Sequence, residues 1–516
     1  MIIAMTGVSG NMGREVFRQT TELPDVHIRV LLTEKKANDK LSKKLKKQYR
    51  DRVSIYRGTV ADRELCKQLV KGADLVVHMA AVIPPKSDKS FKESYESNLL
   101  GTVALADAIK QCDPQPKFIH ISTVALYGNR NERHPWARVG DPLLVSPFDA
   151  YAMHKLFAER YVLESELDTW VVLRQTAMLY PEMMSANISD GLMFHTASNA
   201  PLEWTTSRDS GLLIKNIIER DRKGEVPDFW KKIYNIGAGK RGRETGYDTF
   251  NDGFKMIGGN TEKFFKPSWF AQRNFHGVWF SDSNELEELF HYQRDGVTEY
   301  WQEIADAHKL FRLGKIAPRG LIHLFLFRKL LYHANSPYRW LKDGDTARVQ
   351  AYYGGREKIE AIPASWADVK LLARGDFGDY DKMRENGYAE ANGLLLSHGY
   401  DEDKPPEDWD IEDMKGVASF RGGACISEHM DKGAIHKKLV WKCCEGHTFE
   451  SSPYTVLRGG HWCPFCCQPN PWRFDRLAKK MPFFAQVWYD SHDEEENFVY
   501  DTDEAGRDVM REDDTP

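Results

Sequence analysis

The sequence predicts an α/β protein: a doubly wound parallel sheet with a smaller substrate-binding subdomain, a helical extension and a small C-terminal metal-binding module. Three observations predict it. Apolar runs alternate with longer amphipathic stretches up to about residue 180, a glycine-rich turn follows the first run, and cysteine and histidine cluster near the C-terminus. The predicted strands lie at 2–5, 28–33, 75–79, 118–122 and 170–174.

The first predicted strand leads directly into the turn Gly7-x-x-Gly10-x-x-Gly13, and a helix-like stretch follows. Glycines at this spacing allow a tight turn and a close approach of the backbone to a pyrophosphate. The N-terminus of the helix then presents free N–H groups and the positive end of its dipole. The turn therefore predicts a dinucleotide site.

A second motif begins at the end of the fourth predicted strand. Thr123 ends this strand, and a Tyr-x-x-x-Lys pair, Tyr151 and Lys155, follows downstream. Residues four apart on a helix share a face. A lysine ammonium beside a phenol lowers the pKa of the phenol, which favours proton transfer near neutral pH. Alone the pair is typical of a solvated helix face, but after the glycine turn it predicts a catalytic site.

Further landmarks follow in order. They are Gly58–Asp62, Val77–Ala81, Asn98-Leu99-Leu100-Gly101-Thr102, Leu173–Pro181, Tyr234–Gly237 and Phe280–Ser283. With the two motifs above, they make residues 1 to about 300 resemble the extended short-chain dehydrogenase/reductase family, the NAD-dependent epimerase/dehydratase type with a Rossmann fold. The resemblance implies a cofactor part over about 1–180 and a substrate part over about 181–300.

The resemblance also implies roles for individual residues. Thr123 would orient the reacting oxygen, Tyr151 would exchange the hydroxyl proton, and Lys155 would tune Tyr151 and hold the ribose. Asp62 would contact adenine, and the segment from His78 would lie along the dinucleotide. The residues expected to bind NADP or NAD are Gly7, Gly10, Asn11, Met12, Gly13, Thr33, Lys35, Asp62, His78, Ala80, Ala81, Asn98, Tyr151 and Lys155.

The choice of cofactor depends on the end of the second predicted strand. An acidic residue there would bind the ribose hydroxyls and favour NAD, but Thr33 holds the position and Glu34 comes one residue later. Lys35, Lys36 and Arg14 could neutralise a 2′-phosphate, which favours NADP. The alternative is that these lysines belong to a solvated helix face.

Dehydratases of this family place an acid just after the catalytic Thr or Ser. Here the positions hold Val124 and Ala125, which cannot act as acid or base. The resemblance therefore implies a reductase, dehydrogenase or epimerase that moves a hydride between nicotinamide and a hydroxyl or carbonyl carbon of a small molecule, such as a sugar or nucleotide sugar. The alternative is a dinucleotide-sensing scaffold whose metal module contacts protein or nucleic acid; the intact Thr-Tyr-Lys set favours the enzyme.

A nucleotide-sugar diphosphate would require basic groups. The arginines that could supply them are Arg208, Arg241, Arg243 and Arg273. Ordinary structural roles would account for the same four residues. The segment Pro201–Ser210 departs from the usual sugar-nucleotide pattern, which weakens that substrate assignment.

The C-terminal cluster reads Cys443-x3-His447-x15-Cys463-x2-Cys466. Three thiolates and an imidazole fit a closed tetrahedral Zn²⁺ site of structural type. The segment resembles zinc-ribbon and treble-clef modules. The exact ligand set stays open. Cys444 could replace Cys443, and Cys425 or His461 could also serve as a ligand. We expect metal removal to unfold residues beyond about 410 and to leave the dinucleotide part folded.

The rest of the chain divides by composition. Residues 301–400 are predicted to form a helical extension, in which 321–332 is a short apolar segment expected to be buried. A linker at 401–408 marks a boundary before the module at 410–489. The tail at 490–516 carries 12 acidic residues and two arginines, a net charge of −10, and is predicted to be solvated and disordered.

The sequence shows neither a signal-peptide pattern nor a membrane-spanning run. The N-terminus has no basic region before its apolar run, and no stretch approaches the ~20 apolar residues that span a bilayer. We expect a cytoplasmic homodimer with no membrane contact. Nucleic-acid binding is not favoured, because acidic residues follow the lysines of the metal module.

Overall fold

The computed structural model describes residues 1–183, 190–255, 258–308, 327–372, 393–466 and 472–500. The described strands are β1 Ile2–Thr6, β2 His27–Leu32, β3 Val53–Arg57, β4 Leu75–His78, β5 Lys117–Thr123, β6 Trp136–Ala137, β7 Trp170–Gln175, β8 Ala177–Leu179, β9 Pro201–Thr206, β10 Lys232–Ile236, β11 Arg243–Thr245, β12 Trp279–Phe280, β13 Ala424–Cys425, β14 Leu439–Lys442 and β15 Thr448–Ser451.

The helices accompany these strands from one end of the chain to the other. The described α-helices are α1 Asn11–Thr20, α2 Lys36–Tyr49, α3 Arg63–Val70, α4 Lys86–Lys89, α5 Phe91–Ser94, α6 Gly101–Lys110, α7 Ala150–Glu164, α8 Ser207–Arg222, α9 Gly246–Lys255, α10 Thr261–Phe264, α11 Asn284–Phe290, α12 Val297–Ala307, α13 Arg328–Leu331, α14 Pro337–Asp343, α15 Thr346–Tyr353, α16 Arg356–Glu360, α17 Ile411–Phe420, α18 Pro453–Leu457, α19 Phe474–Ala478 and α20 Pro482–Trp488. None of the described helices is long and apolar enough to cross a membrane.

The main sheet confirms the predicted fold class. It has seven strands in the order β10-β7-β5-β4-β1-β2-β3, and every neighbouring pair is parallel. Helices cover both faces, so the central strands are apolar on both sides, as Ile3, Ala4 and Met5 of β1 show by being completely buried. The chain order of the strands reverses between β1 and β4, which is where parallel sheets of this type form a ligand crevice.

The helical extension packs on the N-terminal α/β part, residues 1 to about 300, instead of standing apart from it. Phe327, Leu330 and Leu331 are buried against Phe194 and neighbouring phenylalanines. Of the apolar segment at 321–332, the structure describes 327–332, in which these three residues are buried while Arg328, Lys329 and Tyr332 are exposed. Residues 309–326 and 373–392 of the predicted extension lie outside the described residues.

The C-terminal module shares one hydrophobic core with the N-terminal α/β part. This core joins Ala125 and Tyr127, which follow β5, to Tyr352 of the extension and to Trp441 and Trp462 of the module. The predicted boundary at 401–408 therefore does not separate two cores. This continuity does not fit the expectation that metal removal unfolds the module alone, and it favours destabilisation of both parts together.

The predicted disorder of the acidic tail was wrong for its first residues. Asp490 Oδ2 lies 2.8 Å from His134 Nδ1, and Glu496 pairs with Arg273 at 2.7 Å. Tyr500 is 2% exposed. Contacts with His134 and Arg273, together with the buried ring of Tyr500, therefore hold residues 490–500 against the N-terminal α/β part. Residues 501–516 lie outside the described residues.

Candidate functional site

A cleft lies at the carboxyl ends of β1 and β4, where the strand order reverses. Its cavity volume is about 900 Å³, which suits a dinucleotide. Of the residues predicted to bind cofactor, Gly7, Gly10, Thr33, Lys35, Ala80 and Ala81 line it. Asn11, Met12 and Gly13 form the first turn of α1, whose N-terminus faces this end of the sheet.

The glycine turn is shaped for close backbone approach. Gly7 has a φ of +77°, and a Cβ there would meet the backbone N of Ala80 at 2.6 Å. A Cβ at Gly13 would meet the carbonyl oxygen of Gly7 at 2.1 Å. Gly10, the N-cap residue of α1, has no side chain to cap the free N–H groups of the helix. The turn therefore fits a phosphate at the helix N-terminus.

Packing at Gly13 yields a stability prediction. We expect Gly13→Ala to lower the free energy of unfolding by about 1–3 kcal/mol, because the new methyl group overlaps rigid backbone. The control is Gly416→Ala, at an exposed position in α17 where the methyl group meets nothing within 4 Å. This change should stabilise by about 0.5–1 kcal/mol. Urea unfolding measures both, and equal effects would contradict the packing argument.

Eight of the fourteen predicted cofactor residues are not part of the cleft lining: Asn11, Met12 and Gly13 of α1, Tyr151 and Lys155 of α7, and three residues engaged elsewhere in the chain. His78 is 1% exposed, and its ring is held between Thr6 Oγ1 at 2.7 Å and Thr102 Oγ1 at 2.9 Å. Asp62 caps α3 by accepting a hydrogen bond from the backbone of Leu65. Asn98 holds the loop after β4 through both backbone groups of Val82. The side chains of His78, Asp62 and Asn98 thus hold neighbouring segments in place through hydrogen bonds.

The predicted catalytic pair Thr123 and Tyr151 come together. Tyr151 lies in the first turn of α7, and its phenol interacts with the Thr123 side chain at the end of β5. Burial raises the pKa of Tyr151 to about 12, the hydrogen bond to Thr123 opposes this shift, and Asp149 adds to it. The pKa of the phenol is thus raised by burial, opposite in direction to the lowering expected from the Tyr-x-x-x-Lys spacing.

Lys155 explains that difference. Its Nζ donates to the carbonyl oxygen of Ile121 at 2.6 Å and lies 3.2 Å from His120 Nε2. It is 2% exposed, and burial lowers the pKa of its ammonium to about 7. The amine is thus hydrogen-bonded to β5, and Lys155 is not among the groups that shift the pKa of the Tyr151 phenol.

Sequence reasoning missed a buried carboxylate one turn beyond Lys155. Glu159 accepts hydrogen bonds from Ser122 Oγ at 2.5 Å, from Arg174 Nη2 at 2.5 Å and from His461 Nε2 at 3.1 Å. Burial alone would raise its pKa, but Arg174 and His461 hold that pKa well below the ordinary value. The available signals were the i, i+4 spacing from Lys155 and an arginine inside an apolar strand.

A second, smaller cavity of about 180 Å³ lies beside the N-terminus of α7. Asp149 and Ala150, which directly precede Tyr151, line it. Asp149 caps α7 through Oδ1, while its buried Oδ2 has no hydrogen-bond partner among the described residues. Arg348 and Trp340 of the extension form the opposite wall.

The groups facing this cavity are mixed in charge. Loss of hydration and the nearby carboxylate of Asp149 raise the pKa of Asp88 to about 7. Burial lowers the pKa of the His195 ring to about 4, and this ring packs on Trp340 with centroids 4.9 Å apart. The guanidinium of Arg348 lies 5.1 Å from the ring centre of Phe148. The cavity therefore offers two carboxylates, the cations Lys89 and Arg348, and aromatic walls.

The four arginines considered for a diphosphate are all engaged within the chain, and none lines the second cavity. Their partners are Asp295 and Glu303 for Arg208, Glu299 and the carbonyl of Arg294 for Arg241, Glu203 and the carbonyl of Phe280 for Arg243, and Glu496 and the carbonyl of Ser491 for Arg273. The geometry therefore favours ordinary structural roles for these four arginines over diphosphate binding.

The predicted metal ligands also come together. Cys443 and His447 flank the turn between β14 and β15, and Cys463 and Cys466 lie on the loop after α18. Their ligand atoms all lie within 4.8 Å of one another. The distance from Cys443 Sγ to Cys466 Sγ is 3.5 Å, close to the ~3.8 Å expected between two sulfurs on tetrahedral zinc.

The alternative ligands lie elsewhere or are engaged. His461 bonds Glu159, and neither Cys444 nor Cys425 belongs to the group. The donor set, three sulfurs and one imidazole nitrogen, is one that zinc prefers.

Residues 3–190 match the model of the NAD dependent epimerase/dehydratase family. This match ends well short of the ~300 residues over which the motifs suggested a resemblance. A curated relative, dTDP-glucose 4,6-dehydratase of Streptomyces antibioticus, is 31% identical over 199 residues. The alignment covers 36% of this chain and 56% of the relative, so the chain spans just over half the length of that protein.

Solved structures of low identity resemble the fold. One is dTDP-glucose 4,6-dehydratase from Bacillus anthracis in complex with NAD, at 17% identity, a TM-score of 0.48, and coverage of 60% of this chain and 97% of that one. Another is UDP-glucuronic acid 4-epimerase from Bacillus cereus in complex with UDP-glucuronic acid and NAD, at 20% identity, a TM-score of 0.47, and coverage of 60% and 99%.

Proposed function

We propose that the protein is a nicotinamide-dependent oxidoreductase or epimerase that acts on a hydroxyl or carbonyl carbon of a small molecule. The observation that carries the proposal is the approach of Tyr151 to Thr123 at the carboxyl end of β5, the neighbour of β4, because Ala80 and Ala81 after β4 line the glycine-rich cleft. A bound nicotinamide dinucleotide supplies the hydride donor or acceptor. The alternative, a dinucleotide-sensing scaffold, leaves the Tyr151–Thr123 pair without a use.

The residues of the chain divide the remaining work. Thr123 orients the oxygen of the substrate, and Tyr151 gives a proton to that oxygen or takes one from it. Lys155 lies one helical turn from Tyr151 and holds the cofactor ribose once its amine leaves the Ile121 carbonyl. The N–H groups at the start of α1 bind the pyrophosphate.

Dehydration is not part of the proposal, although the curated relative is a dehydratase. Val124 and Ala125, which follow Thr123, are buried apolar residues and hold no proton to transfer. Release of water from any substrate would contradict this element of the proposal.

We propose that the second cavity binds the substrate. At about 180 Å³ it is much smaller than the dinucleotide cleft, so we expect it to take a small molecule and not a nucleotide. The engagement of all four candidate arginines also removes the groups that a diphosphate would need. A small hydroxylated ring or hydroxy acid therefore fits better than a nucleotide sugar.

The full-length chain can be tested directly for this activity. Absorbance of reduced nicotinamide would be followed with free sugars, hydroxy acids and their keto forms, and with UDP- and dTDP-linked sugars as comparison. For epimerisation, which consumes no net cofactor, products would be separated by chromatography. Turnover of a compound without a diphosphate is expected; turnover of nucleotide sugars alone would contradict the substrate class.

Cofactor preference provides a separate prediction. Lys35 and Arg14 line the end of the cleft with Thr33, and we expect NADP to bind more tightly than NAD. Lys35→Glu should weaken NADP about fivefold, from roughly 1 kcal/mol for a partly exposed charge pair, and leave NAD unchanged or tighter. Lys40→Glu, on the same helix but outside the cleft lining, is the control. Calorimetric titration decides, and tighter NAD binding by the parent would overturn the prediction.

We further propose that Cys443, His447, Cys463 and Cys466 bind one structural Zn²⁺. The support is their mutual distance and the closed donor set, which leaves no position for a substrate. The module then contributes to stability and contacts within the chain.

A further inference from the structure

The loop between α18 and the metal cluster contacts the helix that carries Tyr151 and Lys155. This loop, residues 459–463, ends in the ligand Cys463. Two residues earlier, His461 is 3% exposed and its Nε2 lies 3.1 Å from Glu159 Oε1. The carbonyl oxygen of Gly459 accepts a hydrogen bond from Arg174, the other partner of Glu159, at 2.7 Å.

Two further contacts hold the same helix. Arg160 donates to the carbonyl oxygen of Trp462 at 2.6 Å. Glu164, the last residue of α7, accepts from Ser451 Oγ at 2.8 Å and from the backbone of Ser452 at 3.1 Å. The second half of α7 is therefore bound along its length by the C-terminal module.

Glu159 connects these contacts to the reacting groups. It lies one helical turn beyond Lys155 on the same face of α7. It also accepts from Ser122, the neighbour of Thr123 at the end of β5, at 2.5 Å. One buried carboxylate thus joins the helix of Tyr151, the strand of Thr123 and the metal-binding loop.

We propose that the C-terminal module is a positioning part of the catalytic site, with His461 as the positioning residue that acts through Glu159. Metal binding holds Cys463 and with it the loop, and the loop holds α7 against β5. Loss of the metal releases this restraint. The effect on turnover rests on the proposed function, whereas the effect on α7 does not.

The experiment measures amide hydrogen exchange of residues 150–164 in the full chain. Cys443→Ser removes a ligand that is not on the 459–463 loop, and it should raise exchange in α7 at least about tenfold. His461→Ala should do the same while zinc stays bound. His461→Gln, which keeps an N–H donor near the Nε2 position, should restore protection. His429→Ala, at an exposed histidine of the same module, is the matched control.

Turnover distinguishes positioning from general destabilisation. On a substrate found by the screen above, His461→Ala should lower kcat about tenfold or more with KM changed less than twofold, and His461→Gln should recover most of it. Should Cys443→Ser fail to fold, the two His461 variants still decide the question. Unchanged exchange in α7, or equal behaviour of His461→Ala and His461→Gln, would overturn the proposal. Altered exchange without any turnover in the parent would instead refute the proposed function.

Discussion

Replacing Tyr151 with Phe should lower kcat by about 10²–10⁴-fold, the range that a positioned acid or base contributes. The change removes only the phenolic oxygen, which exchanges the proton of the substrate hydroxyl in the proposed reaction. Cofactor affinity should stay within a few-fold, because the glycine turn and α1 hold the pyrophosphate end. Steady-state kinetics and calorimetric titration measure the two effects.

A matched control lies on the same helix. Tyr161 also lies in α7, and its hydroxyl bonds Asp107 near the protein surface. Tyr161→Phe should retain turnover close to that of the parent. If Tyr151→Phe kept more than about a tenth of the parental kcat, or if both variants lost turnover equally, Tyr151 would have no role in proton transfer.

Removing the metal should destabilise the whole chain. Zinc binding by such sites contributes on the order of 10 kcal/mol or more to folding. The core around Trp441 and Trp462 is continuous with the core around Tyr127. Loss of the metal should therefore destabilise the N-terminal α/β part as well as the module. We expect chelation, or Cys443→Ser, to lower the Tm of the entire molecule in one transition.

The adjacent cysteine provides the control for this prediction. Cys444→Ser should keep one equivalent of zinc and an unchanged Tm, since Cys444 is outside the ligand group. Metal analysis of protein never exposed to chelator or oxidant is the direct measurement. Less than about half an equivalent of zinc in the parent, or metal loss in Cys444→Ser but not in Cys443→Ser, would contradict the assignment.

Local patterns account for the part of the fold that could be predicted. Strands buried on both faces are continuous apolar runs, so β1, β4 and β5 were identifiable from sequence. The edge strand β3 was not among the predicted strands, and β10 was indicated only by the family landmark Tyr234–Gly237. Val53–Arg57 alternates apolar and polar residues on a half-exposed edge, and Lys232–Ile236 begins with an exposed lysine, so neither forms a long apolar run.

The candidate site was predicted in part for a similar reason. The Tyr-x-x-x-Lys pair and the cysteine cluster are local patterns, whereas the second cavity unites Asp88, Asp149, His195 and Arg348 from distant parts of the chain. The engagement of Lys155 with Ile121 could not be read from spacing, because it depends on strand register. The contact of His461 with Glu159 spans 302 positions and follows only from the shared core.

Transfer of a deuterium label tests the central claim most directly. The full chain would be incubated with reduced cofactor that carries deuterium on the nicotinamide, together with the carbonyl compounds of the screen, and products would be analysed by mass spectrometry and NMR. We predict label on the carbon that becomes hydroxylated, at rates that fall at least about a hundredfold in Tyr151→Phe. Cofactor binding without label in any product, or label transfer that is unchanged in Tyr151→Phe, would contradict the account.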